Sequence, residues 1–218
     1  MYIPRIADSR LAEILEGDKI GVVLGARQVG KTTLVQQAVA ARKATLLNFD
    51  IEVDKGRFQT AAALAPADVP GFLGNPDILV LDEAQRLPAA ARTAKGWYDA
   101  RVPMQVVLLG SSSLDLLSRT AESLTGRNRK LRLPPLVWQE VLHLQDWYSP
   151  DCDPATLARS MQPTLQAALL QRMAYGCYPE VVTTAEPRAL LQELAADYLW
   201  KDLLQTGMVR HPNKIKRL

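Results

Sequence analysis

The chain has 218 residues, 48% of them hydrophobic, and a formal net charge of +3. This length provides one large domain, or one domain with a small helical appendage, and the slight positive charge does not by itself indicate nucleic-acid binding. The two cysteines and two histidines lack the spacing of a metal site, and no apolar run approaches the length of a membrane span. The first residues contain no secretory signal, so we expect a cytoplasmic protein with free thiols.

The first predicted elements flank a glycine-rich loop. We predict a short helix over 10–15, capped by Asp8 or Ser9, and a short apolar strand over 19–24. The next residues, 25–33, fit the pattern G-x-x-x-x-G-K-[ST] and lead into a helical segment. A strand that passes through this pattern into a helix is typical of a phosphate-binding loop.

The chemistry of this loop follows from its residue types. Its glycines let the backbone curl so that successive N–H groups face a phosphate, Lys31 can reach the β- and γ-phosphates, and the Thr32 hydroxyl can hold Mg²⁺. The alternative is a glycine-rich turn with a solvated lysine, which the flanking strand and helix disfavour. We expect the Arg27 side chain to form a salt bridge to the core. The predicted nucleotide-binding residues are Gly25, Ala26, Arg27, Gln28, Val29, Gly30, Lys31, Thr32 and Thr33.

Two further strands follow, the second of which ends in an acidic pair. Residues 44–49 predict one strand, closed by Asp50, and a weak helix and a loop separate it from an uninterrupted apolar strand that ends in Asp82 and Glu83. Asp82 at the strand tip can hold Mg²⁺ through water, and Glu83 can polarise an attacking water. The alternative is an exposed acidic pair that starts a helix. The upstream phosphate-binding loop favours the catalytic interpretation, because both segments then lie at one sheet edge.

The next strand, 104–109, leads into Ser111 and Ser112. Either serine could sense the γ-phosphate or the attacking water, and ordinary helix capping is an equally good interpretation. A short last strand is predicted over 130–133, and Arg127 before it could stabilise γ-phosphate charge as an arginine finger or have a surface or packing role. The alternation of strands and helices predicts an α/β fold with a parallel sheet covered by helices on both faces.

The C-terminal part is predicted to be helical. Residues 1–135 form the predicted ATPase core, 136–206 a helical region, and 207–218 a basic tail that is either solvated or a linker or anion-binding segment. Within the helical region, helices are predicted over 136–147, 155–175 and 187–206, with a linker at 148–154 and an irregular turn at 175–180.

As a set, these segments resemble a known family. The strings GARQVGKTTL, ILVLDEAQRLP, ESLTGR and YPEVV occur in this order, and the chain resembles, over roughly residues 5–206, a bacterial and archaeal group of AAA+-type ATP-binding proteins. The resemblance implies a P-loop NTPase fold with a five-stranded sheet in the order 5-1-4-3-2, in which the strand before Ser111 lies between the phosphate-loop strand and the Asp82 strand. Family members normally carry a further C-terminal domain of unknown function, which we expect to be absent from this chain.

The resemblance also implies site roles and cofactors. ATP and Mg²⁺ are the implied cofactors, Arg127 matches a family arginine, and the chain departs from the family in having Ala26 for a frequent proline and Cys177 for a frequent glycine. The implied roles are phosphate and Mg²⁺ binding for Lys31 and Thr32, Mg²⁺ binding for Asp82, water activation for Glu83, and sensing for Ser111 or Ser112.

Three functions are consistent with these residues. The first is a slow, Mg²⁺-dependent ATPase whose nucleotide state controls the helical region or a partner domain. The second is a nucleotide-gated module that does not hydrolyse ATP and acts with a protein or DNA partner through the further domain, as a monomer or an oligomer. The third is a small-molecule kinase, which the acidic pair Asp82 and Glu83 disfavours.

Overall fold

The structure is a computed structural model that describes residues 2–111, 124–151 and 153–205. The chain divides into two compact units, Met1–Leu144 and Gln145–Leu218. The first unit contains a five-stranded sheet, and the described part of the second unit is helical. The predicted domain boundaries after residues 135 and 206 stay predictions, and the basic tail lies outside the described residues.

All strands of the sheet run parallel in the order β2-β3-β4-β1-β5. This confirms the expected order, read from the other edge, and it places β4 between β1 and β3. Every residue of β1 and β3 is buried, as expected for uninterrupted apolar strands that are covered on both faces. The strands are β1 Ile20–Gly25, β2 Ala44–Asn48, β3 Ile78–Asp82, β4 Gln105–Ser111 and β5 Asn128–Arg132.

Helices of the first unit cover both faces of the sheet. On one face α1 packs so closely on β1 that a Cβ atom on Gly21 would lie 2.8 Å from Cγ2 of Ile14. On the other face, the ring of Phe58 makes edge contacts with both Phe49 and Trp97 inside the main apolar cluster. The helices are α1 Ala7–Leu15, α2 Lys31–Val39, α3 Glu52–Ala63, α4 Val69–Leu73, a 3₁₀ turn Ala84–Arg86, α5 Ala90–Asp99 and α6 Trp138–Leu142.

The beginning of α1 differs from the prediction. The helix begins at Ala7, after Ile6, which caps it without a side-chain hydrogen bond. The expected caps Asp8 and Ser9 therefore lie inside the first turn. The Asp8 carboxylate accepts a hydrogen bond of 2.7 Å from the amide of Arg5, so this side chain organises the segment before the helix.

Two other segments of the first unit also differ. Helix α4 lies within the predicted loop, because Val69 and Leu73, one turn apart, are fully buried; Gly74, with φ of 91°, ends it. Helix α6 is shorter than the predicted 136–147. The amide of Leu144 donates to the carbonyl of Val141 at 3.2 Å, a three-residue turn that is typical of a helix end.

The described part of the second unit contains α7 Pro154–Ser160, α8 Gln162–Tyr175, α9 Pro179–Thr183 and α10 Pro187–Gln205. The predicted helix over 155–175 is interrupted at Met161, because Pro163 is tolerated only in the first turn of a new helix. The predicted irregular turn includes the beginning of α9. Within the described residues, no helix combines the length and apolar character needed to cross a membrane.

The contacts of Phe58 with Phe49 and Trp97 lead to a prediction about the free energy of unfolding. Phe58 is 1% exposed and Phe72, a phenylalanine on α4, is 43% exposed. We expect Phe58→Ala to lower the free energy of unfolding by about 3–5 kcal/mol, because the cavity would separate the rings of Phe49 and Trp97. The matched change Phe72→Ala should cost about 1 kcal/mol or less. Urea denaturation measures both, and equal losses would contradict the assignment of Phe58 to the core.

Candidate functional site

The carboxyl ends of β1, β3 and β4 meet at one edge of the sheet, and most of the predicted site residues lie there. Gly25 at the end of β1 lies in register with Ser111 at the end of β4, and Asp82 is the last residue of β3. The phosphate-binding loop leaves β1 and enters α2 at Lys31. Ser112 lies outside the described residues.

Two glycines are needed for the path of the loop. A Cβ atom on Gly25 would lie 2.4 Å from the backbone carbonyl oxygen of Leu133, just after β5, so only glycine fits there without a shift of the backbone. Gly30 has φ of 91°, in the left-handed region. Gln28 also has a positive φ, of 59°, which is uncommon for a residue with a side chain and indicates a constrained loop.

Lys31 is folded back onto its own loop. Its ammonium group donates hydrogen bonds to the carbonyl oxygens of Gly25 at 3.1 Å and Ala26 at 2.8 Å, and the residue is only 6% exposed. Burial lowers the pKa of Lys31 below its ordinary value, while the nearby carboxylates of Glu83 and Asp82 act in the opposite direction. The lysine is therefore held in the loop by carbonyls that an anionic phosphate can replace.

The two predicted Mg²⁺ ligands are in direct contact. The hydroxyl of Thr32 donates to Oδ2 of Asp82 at 2.6 Å, and Oδ1 of Asp82 accepts from the amide of Glu83 at 2.8 Å. Asp82 is 8% exposed. A hydroxyl and a carboxylate are hard oxygen donors, and Mg²⁺ is usually bound by one or two carboxylates together with phosphate oxygens and water. The residues present therefore fit a magnesium ion.

Glu83 follows Asp82 in a left-handed conformation, with φ of 52° and ψ of 40°. Its carboxylate accepts a hydrogen bond from the side-chain amide of Gln85 in the 3₁₀ turn. Gln85 is not among the residues predicted from the sequence, although its place two residues after the proposed base Glu83 is a signal for it. The contact restrains the orientation of the Glu83 carboxylate.

Arg27 lacks the expected salt bridge among the described residues, and Arg127 lies at the opposite edge of the sheet from the phosphate-binding loop. Among the described residues Arg27 forms no ion pair, so the expected salt bridge to the core is not found; its charge instead contributes to lowering the pKa of Lys31. Arg127 precedes β5, and its carbonyl accepts from the amide of Ile20 at 3.0 Å, at the amino edge of the sheet. The length of β1, about 16 Å, separates this point from the loop.

The side chain of Arg127 has a local partner at that edge. Its Nε lies 2.6 Å from Oδ1 of Asp99 at the end of α5. Within one chain, the structure therefore does not bring Arg127 to the phosphate-binding loop. The contact with Asp99 fits the alternative of a surface role, and the role of arginine finger stays a prediction.

Comparison with protein families identifies one match. Residues 17–142, more than half of the chain, match the model of a family described as "AAA domain". Two curated proteins, one from Mycobacterium bovis and one from Mycobacterium tuberculosis, are each 33% identical over 140 residues, and both are named as uncharacterized. The match covers 63% of this chain but only 30% of each relative, so the chain spans less than a third of their length.

Solved structures share the fold. A Walker-type ATPase of Pyrococcus abyssi aligns with a TM-score of 0.59 and 15% identity, over 94% of this chain and 76% of its own. The ORC1 protein of Aeropyrum pernix, solved in complex with DNA, aligns less well, with a TM-score of 0.49 and 15% identity over 91% of this chain and 68% of its own. At 15% identity, the likeness to the ATPase of Pyrococcus abyssi shows the fold alone. The alignment with the ORC1 protein is too poor to support any further conclusion.

The lowered pKa of Lys31 predicts a pH dependence for the binding of a triphosphate. The anion favours the charged lysine, so affinity should fall as the pH rises through the lowered pKa, below the ordinary value of 10.5. Between the lowered pKa and the ordinary value, the unfolded chain binds more protons than the folded chain. The contribution of Lys31 to the free energy of unfolding therefore increases as the pH rises, so the loss of affinity is not caused by unfolding through the titration of Lys31. Calorimetric titration measures the affinity at each pH, and melting curves at the same pH values check that the protein stays folded. An affinity that is constant up to pH 10.5 would contradict the assignment of Lys31 to the phosphate site.

Proposed function

The chain belongs to the AAA domain family, and from this premise we propose that it binds ATP and hydrolyses it slowly with Mg²⁺. The observation that carries the proposal is the contact between Thr32 and Asp82 at the edge of the sheet, with Glu83 as the next residue. We further propose that the nucleotide state controls the helical region or a partner domain. A protein or DNA partner and a cytoplasmic location are part of the same proposal.

Each loop residue has a defined task in this proposal. The backbone N–H groups of residues 25–33 hold the phosphates at the positive end of the α2 dipole. Lys31 leaves the carbonyls of Gly25 and Ala26 and pairs with the β- and γ-phosphates. Thr32 and Asp82 hold the magnesium ion, which neutralises phosphate charge when it is bound.

Glu83 is the proposed base. Its carboxylate accepts the proton of the attacking water, and the amide of Gln85, which donates to Oε2, restrains how the carboxylate can turn towards that water. Ser111 lies beside Gly25 in the sheet register, which is a suitable position for sensing the γ-phosphate. Because the contact with Gln85 restrains the Glu83 carboxylate, and because no finger comes from Arg127 of the same chain, we expect slow turnover.

The same contact favours a second candidate function. If the contact with Gln85 keeps the Glu83 carboxylate turned away from the attacking water in the nucleotide complex, the protein is a nucleotide-gated module that binds ATP with negligible turnover. Such a module would bind its partner in only one nucleotide state. Phosphate transfer to an acceptor other than water, as in a kinase, is disfavoured by the acidic pair.

The lysine variant tests nucleotide binding. We expect Lys31→Ala to weaken ATP affinity by about 100-fold, because a buried cation that pairs with phosphate is lost. The matched control is Lys43→Ala, since Lys43 is exposed between α2 and β2 and should bind ATP like the wild type. Isothermal titration calorimetry measures both affinities. Tight ATP binding by the Lys31 variant would reject the site.

The glutamate variant separates hydrolysis from binding. We expect Glu83→Gln to lower turnover by about 100-fold or more, since it removes a general base, while ATP affinity changes little. The control Glu13→Gln alters an exposed carboxylate on α1 and should leave turnover unchanged. Phosphate release is the measurement. If wild type and the Glu83 variant hydrolyse ATP equally slowly, the ATPase proposal fails and the gated module is favoured.

A further inference from the structure

Arg5 is a buried arginine that lies against the phosphate-binding loop. The residue is 7% exposed. Its Nη1 donates to the carbonyl oxygen of Val29, inside the loop, at 2.9 Å, and its Nη2 donates to the carbonyl of Pro134, after β5, at 2.8 Å. One side chain from the N-terminal segment therefore binds two other segments of the first unit through their backbones.

A buried carboxylate fixes the orientation of this guanidinium. Oε2 of Glu140, on α6, lies 3.0 Å from Nε of Arg5, and both side chains are 4% exposed. This contact is an ion pair, and the hydrogen bonds that the carboxylate accepts come from the amides of Ile6 at 2.8 Å and Val137 at 2.9 Å. Glu140 thus holds both the segment that carries Arg5 and the first turn of its own helix.

The net stability gained from such a pair is small. Desolvation of two charges offsets much of their attraction, and apolar residues of similar volume often stabilise a protein as well. What a buried arginine provides is direction, because its planar guanidinium presents N–H groups at fixed angles. The acceptor that matters for the site is therefore Val29, since it is the one in the loop.

The planar peptide bond between Val29 and Gly30 links the contact with Arg5 to the proposed phosphate site. In a trans peptide the C=O of one residue and the N–H of the next point in opposite directions. Arg5 binds the carbonyl of Val29, so the N–H of Gly30 has to point away from Arg5. The guanidinium also lies alongside Gly30, where a Cβ atom would be in ordinary van der Waals contact with Nη1, at 3.8 Å.

We propose that Arg5 is a positioning residue of the phosphate-binding loop, and this inference rests on the proposed nucleotide-binding function. Arg5 does not touch the nucleotide. It holds the Val29 carbonyl on the side away from the phosphates, and in this way aims the Gly30 N–H at them. Glu140 is the support that keeps Arg5 in this orientation.

The principal variant is Arg5→Lys, which keeps the charge but cannot bind Val29, Pro134 and Glu140 together. The control is Arg10→Lys, an exposed arginine on α1 that pairs only with Glu13 among the described residues. Both are compared with the wild-type chain in three measurements: amide hydrogen exchange without nucleotide, ATP affinity, and KM against kcat.

We expect local loosening in the Arg5→Lys protein. The amide of Leu34, bonded to the carbonyl of Gly30 at 2.9 Å, should exchange at least about fivefold faster, with β3 unchanged. ATP affinity should fall about tenfold and KM should rise in parallel, while kcat changes by less than about threefold. Exchange that rises equally in α2 and β3, or affinity equal to wild type in the folded variant, would overturn the proposal.

Glu140→Gln is the second variant, for the case in which Arg5→Lys does not fold. It leaves Arg5 in the chain but removes the charge that orients it, so the same local changes should appear with smaller size. No change at Leu34 in this variant also counts against the inference. If the wild-type chain binds no ATP, the proposed function fails, while hydrogen exchange without nucleotide still decides whether Arg5 positions the loop.

Discussion

The hydrogen bond between Thr32 and Asp82 joins two strands that are not neighbours. Strand β4 lies between β1 and β3, so the two strands are about 10 Å apart. The contact forms because α2 packs against β4, so that Thr32 in its first turn reaches the end of β3. The sharp path of the loop that leads into α2 depends on Gly25, which lies against the Leu133 carbonyl, and on the left-handed Gly30. The position of the proposed magnesium ligands thus depends on the backbone between them.

The positive and negative charges of the site lie close together and balance one another. Lys31 and Arg27 contribute two positive charges near two negative charges, those of Asp82 and Glu83. Lys31 satisfies its donors on loop carbonyls, and Glu83 satisfies an acceptor on Gln85. Lys31 and Glu83 therefore each already have a partner in the protein. Binding then exchanges one set of polar contacts for another, which limits the cost of desolvation.

The sequence predicts the parts of this structure that depend on local patterns. The buried strands follow from their apolar runs, and the loop follows from its glycines and Lys31, whereas the strand order came from the resemblance. The position of Arg127 could have been deduced, because a residue that precedes a strand of a parallel sheet lies at the amino edge. The pairing of Arg5 with Glu140 could not, since it joins distant segments and depends on how β5 and α6 pack.

The segment that matches the family model contains only one half of the buried pair of Arg5 and Glu140. The match begins at residue 17 and ends at residue 142, so it contains Glu140 but neither Arg5 nor α1. A shortened protein cut at these limits would keep the acidic half of a buried pair and lose its basic half, together with the helix that covers one face of β1. A carboxylate without its partner in an apolar interior is far more destabilising than the complete pair. A segment that keeps both halves of the pair therefore has to begin before Arg5, upstream of the segment by which the family is recognised.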